Sequence, residues 1–249
     1  MPTDPHGREP HAPEPHAPEP HAPDLRARDL RARDAGMAPD AHVHEPAPSR
    51  PPGIGIPRSS GFDAPAFERA VDDLLRACGL APDAAHMGRT PQRVRELWQR
   101  RLLGGYDLDP AAALGEGFAD PRGDLVVIRG IAVHGVCPHH LVPFRGVAHV
   151  GYLPGGRLHG FGRIARLVDA IGHRFTYQEW LTRDIVEALV VHGRARGAAC
   201  VIEAEQLCLL LGEDRRGDER VVTQAFCGSF EHSDRERAEF LRAIDGRAR

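Results

Sequence analysis

The chain has 249 residues, 41% of them hydrophobic and 27% charged, an ordinary globular composition that supports one core of good size. A formal charge of −3 excludes a basic nucleic-acid binder or a polybasic membrane-surface protein as a reading of the whole chain. No stretch approaches ~18 consecutive apolar residues and the opening MPTDPHGREP has no apolar segment, so the expectation is a cytoplasmic protein with neither membrane span nor secretory signal.

Residues 1–60 hold 14 of the 22 prolines and no Phe, Tyr or Trp, too little apolar surface to offset the entropy of ordering them. EPHAP runs three times in tandem from Glu9 to Pro23, and DLRAR twice from Asp24 to Arg33. This is read as a disordered, polyproline-like tail, with the domain at 61–249. His6, His11, His16 and His21 recur every five residues in it, a spacing that offers weak transition-metal contacts.

Order begins near Phe62. Phe67, Val71, Leu74, Leu75 and Cys78 share a helical face that stops at Gly79. Thr90-Pro91 reads as a cap and first turn, opening a helix with Val94, Leu97, Trp98 and Leu102 that ends at Gly104-Gly105. Leu125–Val136 and Leu141–Leu153 read as strands, with a turn at Pro154-Gly155-Gly156. Helical spacing returns at Ile164, Leu167, Val168 and Ile171, then at Leu181, Ile185 and Leu189. Ala199–Leu211 and Arg220–Glu231 read as two more strands, and Ser233 with Glu236 as a capping box for a last helix. Helices, a hairpin, two helices and a second strand pair make an α+β fold rather than alternating βαβ units.

The chemistry centres on Cys137-Pro138-His139-His140. A thiolate and an imidazole three residues apart reach one metal from a tight turn after a strand, and the pair suits zinc. A catalytic zinc needs a third protein ligand, and Cys78, Cys200, Cys208 and Cys227 all qualify by chemistry; spacing does not choose among them. Five cysteines, an odd number, point to thiols or metal ligands rather than to a disulfide framework.

Cys137–Pro154 (CPHHLVPFRGVAHVGYLP) closely resembles the zinc segment of GTP cyclohydrolase I, usually C-E-H-H-x-V-P. The resemblance extends over RTPQRVRELW (Arg89–Trp98), GRIARLVDAI (Gly162–Ile171), YQEWLT (Tyr177–Thr182), VIEAEQLCLLL (Val201–Leu211) and EFLRAI (Glu239–Ile244), in the family's order and across the whole body. It implies the tunnelling fold, an antiparallel sheet with helices packed on one side, assembled into a toroidal homodecamer with sites between subunits. It also implies a zinc ion on Cys137, His140 and Cys208, with an activated water attacking C8 of guanine. His139 matches the catalytic histidine, Gln178 and Glu179 the pair on the guanine edge, and Arg166 and Arg93 triphosphate arginines. Arg163 stands where the family has a phosphate-binding Lys; this chain has no Lys at all.

Some positions depart from the family's pattern. Gln206 replaces a second catalytic His and cannot exchange a proton near neutral pH. Pro138 replaces a Glu, Gly162 a phosphate-contacting Ser, and Gly212 a triphosphate Arg that Arg215 or Arg216 could replace. His134 and His149 are the nearby histidines that could take over the relay. The leading expectation is therefore hydrolysis of GTP to formate and 7,8-dihydroneopterin triphosphate, the entry to pterin and folate synthesis. Two alternatives stand beside it. One is a related enzyme that stops at the formamidopyrimidine or takes another purine nucleotide; the other is a zinc- and nucleotide-binding oligomer without turnover.

Overall fold

The structure is a computed structural model that describes residues 53–212 and 218–245; the repeats, the tail histidines, Arg215 and Arg216 lie outside the described residues. Helix α1 (Ala64–Ala77) starts where the Asp63 carboxylate accepts the Ala66 N–H, and it ends before Gly79 at φ +78. Helix α2 (Thr90–Leu97) takes Thr90 as its own first residue, with Arg89 in the cap position and no side-chain cap, so the expected Thr90 cap is absent. A π-helical turn (Trp98–Leu102) and a 3-10 turn (Gly104–Asp107) continue it, then a short α3 (Pro110–Leu114).

Next come β1 (Phe118–Ala119), β2 (Val126–Val136), β3 (Pro143–Leu153) and β4 (Arg157–Leu158). Helices α4 (Phe161–Gly172) and α5 (Gln178–Val191) follow, then β5 (Gly197–Gln206) and a short α6 (Leu207–Leu210). The chain closes with β6 (Val221–Gly228), α7 (Ser229–His232) and α8 (Asp234–Ile244). The third long strand, expected to reach Leu211, thus stops at Gln206, and the fourth, expected to reach Glu231, stops at Gly228. Gly228, at φ +64 with its Cα hydrogens packed against Arg196 and Gly197 backbone, allows that bend into α7.

The main sheet is antiparallel in the order β2-β3-β5-β6, and β1 pairs with β4 beside it. Alternation along the strands sorts the side chains. Phe144, Ala148, Val150 and Tyr152 of β3 and Ala198, Cys200, Ile202 and Ala204 of β5 pack against Ile164, Leu167 and Ile171 of α4 and Leu181, Ile185 and Leu189 of α5. The expectation of helices packed on one side only does not hold. On the opposite face Leu153, Ala199 and Val201 meet Phe230 and Phe240, so α7 and α8 cover part of it. The Ser233 hydroxyl caps α8 by accepting the Glu236 N–H at 3.2 Å. No helix among the described residues is long and apolar enough to cross a membrane.

Candidate active site

The β2–β3 connection carries the first two metal-type ligands. Its turn is closed by two backbone bonds, Cys137 N–H to Val142 O and Leu141 N–H to Cys137 O, both 2.9 Å. Leu141 takes the left-handed conformation, φ 56, to complete it. Neither bond uses the amide of residue 138, so Pro138 fits the turn without forfeiting a donor. Across the sheet, β5 ends and α6 brings up Cys208.

One ligand atom each from Cys137, His140 and Cys208 lies within 4.8 Å of the others, the one such trio of His, Cys, Asp or Glu among the described residues. The Cys137 Sγ is 3.6 Å from Nδ1 of His140. Burial, then the neighbouring Cys137, pushes the Cys208 thiol above its ordinary pKa. Two crowded sulfurs and an imidazole are a soft donor set that a zinc ion satisfies by taking both as thiolates. The other cysteines are elsewhere: Cys200 is fully buried in the core with its thiol pushed up by burial, Cys78 is exposed beyond α1, and Cys227 is on β6.

The start of α5 borders this turn because the intervening backbone is laced to it. Val136 N–H donates to Arg174 O at 3.0 Å and Thr176 N–H to Val136 O at 3.1 Å, a parallel bridge between Val136 and Phe175. Three consecutive residues then face three ways. The Tyr177 hydroxyl lies 2.8 Å from Nε2 of His139, the exposed histidine between the two turn ligands. Burial, followed by Cys137 and Glu179, pushes the Tyr177 phenol above its ordinary pKa. Gln178 is 2% exposed and points into the sheet. Glu179 is exposed.

Gln178 explains what Gln206 does. The Gln178 Nε2 donates to Ile202 O (3.1 Å), Val221 O (2.9 Å) and Thr223 Oγ1 (3.2 Å). Carbonyls only accept, so the amide orientation is fixed and Oε1 must accept from Gln206 Nε2, 2.6 Å away. The Thr182 and Thr223 hydroxyls, 2.6 Å apart, complete the network, and Thr182 donates to Gln178 O at 2.7 Å. Gln206 is thereby anchored through its Nε2, and Gln178 spends its carboxamide inside the fold.

Arg163, Arg166 and Arg93 are exposed on α4 and α2. Arg163 sits in the first turn of α4, where Gly160 supplies no side-chain cap; the Cys137 turn lies beyond that helix's other end, beside Gly172 and Arg174. A side chain at Gly162 would meet nothing within 4 Å, so the expected Ser is replaced by open space. His134 is engaged away from the relay position. Its Nε2 is 2.9 Å from Arg101 O and its ring stacks on His173 at 3.8 Å. His149 lies on the sheet face turned from α4 and α5, its Nδ1 buried without a hydrogen bond. Nothing in the sequence spacing marks Tyr177, Thr182 and Thr223 as site residues, since strand register alone brings Thr223 to Gln178.

A sequence model described as GTP cyclohydrolase I matches residues 67–245. A protein of Ralstonia nicotianae named GTP cyclohydrolase 1 is 70% identical over 192 residues, covering 77% of this chain and 92% of that protein. One of the same name from Chromobacterium violaceum is 67% identical over 206 residues, covering 83% and 98%. A third, from Mycobacterium ulcerans, is 42% identical over 185 residues, covering 74% and 91%.

Proposed function

The chain belongs to the GTP cyclohydrolase I family, and from that premise we propose that it opens the imidazole ring of GTP, releases formate and recloses the product to 7,8-dihydroneopterin triphosphate. The observation that carries this reading is the convergence of Cys137, His140 and Cys208 on one point, with His139 beside it. Those three residues would hold the zinc ion. When bound, it supplies Lewis acidity that makes water nucleophilic near neutral pH.

The chain's own groups divide the remaining work. His139, exposed at the turn, moves protons at the opening ring and at the departing formyl nitrogen. Glu179 accepts from the guanine ring N–H and exocyclic amine, a pair of donors that a carboxylate matches. Gln178 supports that edge from behind by fixing the first turn of α5 to β5 and β6. Gln206 contributes a fixed carbonyl oxygen, an acceptor and not a proton carrier.

Arg163, Arg166 and Arg93 bind the triphosphate, helped at α4 by first-turn N–H groups and the positive end of the helix dipole. Since Arg163 and the Cys137 turn lie at opposite ends of α4, a complete site joins residues of two copies. That requirement supports a toroidal homo-oligomer of tunnelling-fold subunits, a decamer by resemblance.

The test is mass spectrometry of the products after incubating zinc-loaded protein with GTP, with formate assayed in the same sample. Dihydroneopterin triphosphate with stoichiometric formate is the expected result. Ring-opened formamidopyrimidine without formate would overturn the full reaction, and unchanged GTP on zinc-loaded protein would overturn the activity.

A further inference from the structure

His139 stands on an exposed turn, and among the described residues its ring has one hydrogen bond, the 2.8 Å contact of Nε2 with the Tyr177 hydroxyl. Tyr177 is itself held from several sides. Its ring meets the Trp180 ring at 4.7 Å and 76°, edge to face, and the His139 ring at 5.1 Å and 62°. Its backbone carbonyl accepts the Leu181 N–H at 2.9 Å, starting α5. The residue before it is bonded to Val136, and the residue after it is locked into the sheet by its side chain. An exposed imidazole thus leans on a phenol that is held from several sides.

The geometry fits a hydroxyl that donates to Nε2 or one that accepts from it, according to the imidazole tautomer. A neutral ring that accepts at Nε2 carries its proton on Nδ1. We propose that Tyr177 is a positioning residue for the reaction. Its hydroxyl donates to His139 Nε2, fixes one tautomer and one ring orientation, and leaves Nδ1–H as the nitrogen available to the nucleotide. This inference rests on the proposed cyclohydrolase reading. It adds a reason why that reaction proceeds with Gln206 in the second histidine's place: the remaining histidine is preset by a hydroxyl partner on α5. It also places the aromatic pair Tyr177–Trp180 in support of the chemistry.

The test uses the zinc-loaded full chain and the variant Tyr177→Phe, which keeps the ring against Trp180 and removes only the hydroxyl. The expected result is unchanged zinc content, a KM for GTP within about twofold and a kcat lower by about ten- to a hundredfold, the usual scale for losing a partner that orients a reacting group. Unchanged kcat with zinc retained would overturn the proposal, even if thermal stability fell.

A second measurement needs no folded variant at position 177. Solid-state nitrogen-15 NMR of histidine-labelled wild-type protein, with the His139 signals assigned by their loss in His139→Gln, is expected to show an unprotonated, hydrogen-bonded Nε2 and a protonated Nδ1. A protonated Nε2 in the neutral ring would overturn the proposal. Because this readout is independent of turnover, failure of the wild type to convert GTP would count against the cyclohydrolase reading alone.

Discussion

Cys208 and Cys78 illustrate how two chemically identical side chains come to differ. Both are thiols at a helix, but Cys208 follows a strand whose neighbour, β3, begins just after the Cys137 turn, whereas Cys78 trails α1 in solvent. Cys208→Ser is expected to lower zinc occupancy and turnover together, and Cys78→Ser to change neither; metal analysis and the product assay on the same preparations check both. The choice among the four remaining cysteines was not legible from spacing, because Cys208 meets Cys137 only through the β3–β5 register, which is long-range. Resemblance selected it; packing gives the reason. Gln206 reads the other way. Its inability to carry protons follows from its chemistry, while its anchoring by Gln178 Oε1 emerges only once β5 and α5 are packed together.

Between elements, the junction of β2 with the end of α4 makes a pH-sensitive contact. His173 is one-fifth exposed and stacked on His134. Burial first, then His134 and Arg101, holds its pKa at about 4. An unfolded histidine titrates near its ordinary ~6.5, so between those values the unfolded chain binds more protons. This contribution to stability is therefore complete above about pH 6.5 and is lost as the pH falls toward 4, on the order of 3 kcal/mol. Denaturant unfolding of wild type and His173→Gln at pH 7 and pH 5 checks it: the wild type is expected to lose more stability across that interval.

Element boundaries were legible where a residue type punctuates the chain, as Gly79 does after α1 by its left-handed backbone and Ser233 before α8 by its hydroxyl. They were not legible at Leu207–Leu210, a short apolar run that fits a strand or a helical turn equally well. The pairing of β1 with β4 was invisible too, since two-residue strands carry no periodicity of their own.

For the whole molecule, the three proposed ligands belong to segments about 70 residues apart in sequence, so a zinc ion held by them would cross-link the β2–β3 turn to the end of β5. Binding to the folded chain alone adds about 1.4 kcal/mol for each tenfold excess of free zinc over its Kd. Chelation is expected to lower the Tm by about 2–4 °C per kcal/mol lost, and Cys208→Ser to abolish the dependence; calorimetry across a series of buffered zinc concentrations checks this.

The bridge between Val136 and the 174–176 segment has a further consequence. It sets the phase at which α5 begins, and an α-helix turns about 100° per residue. One residue inserted or deleted between this bridge and Gln178 would swing Tyr177 away from His139, Gln178 out of the sheet and Glu179 off its outward heading, all in a single step. Substitutions here test one partner at a time, but the length of this short connection is fixed by all three.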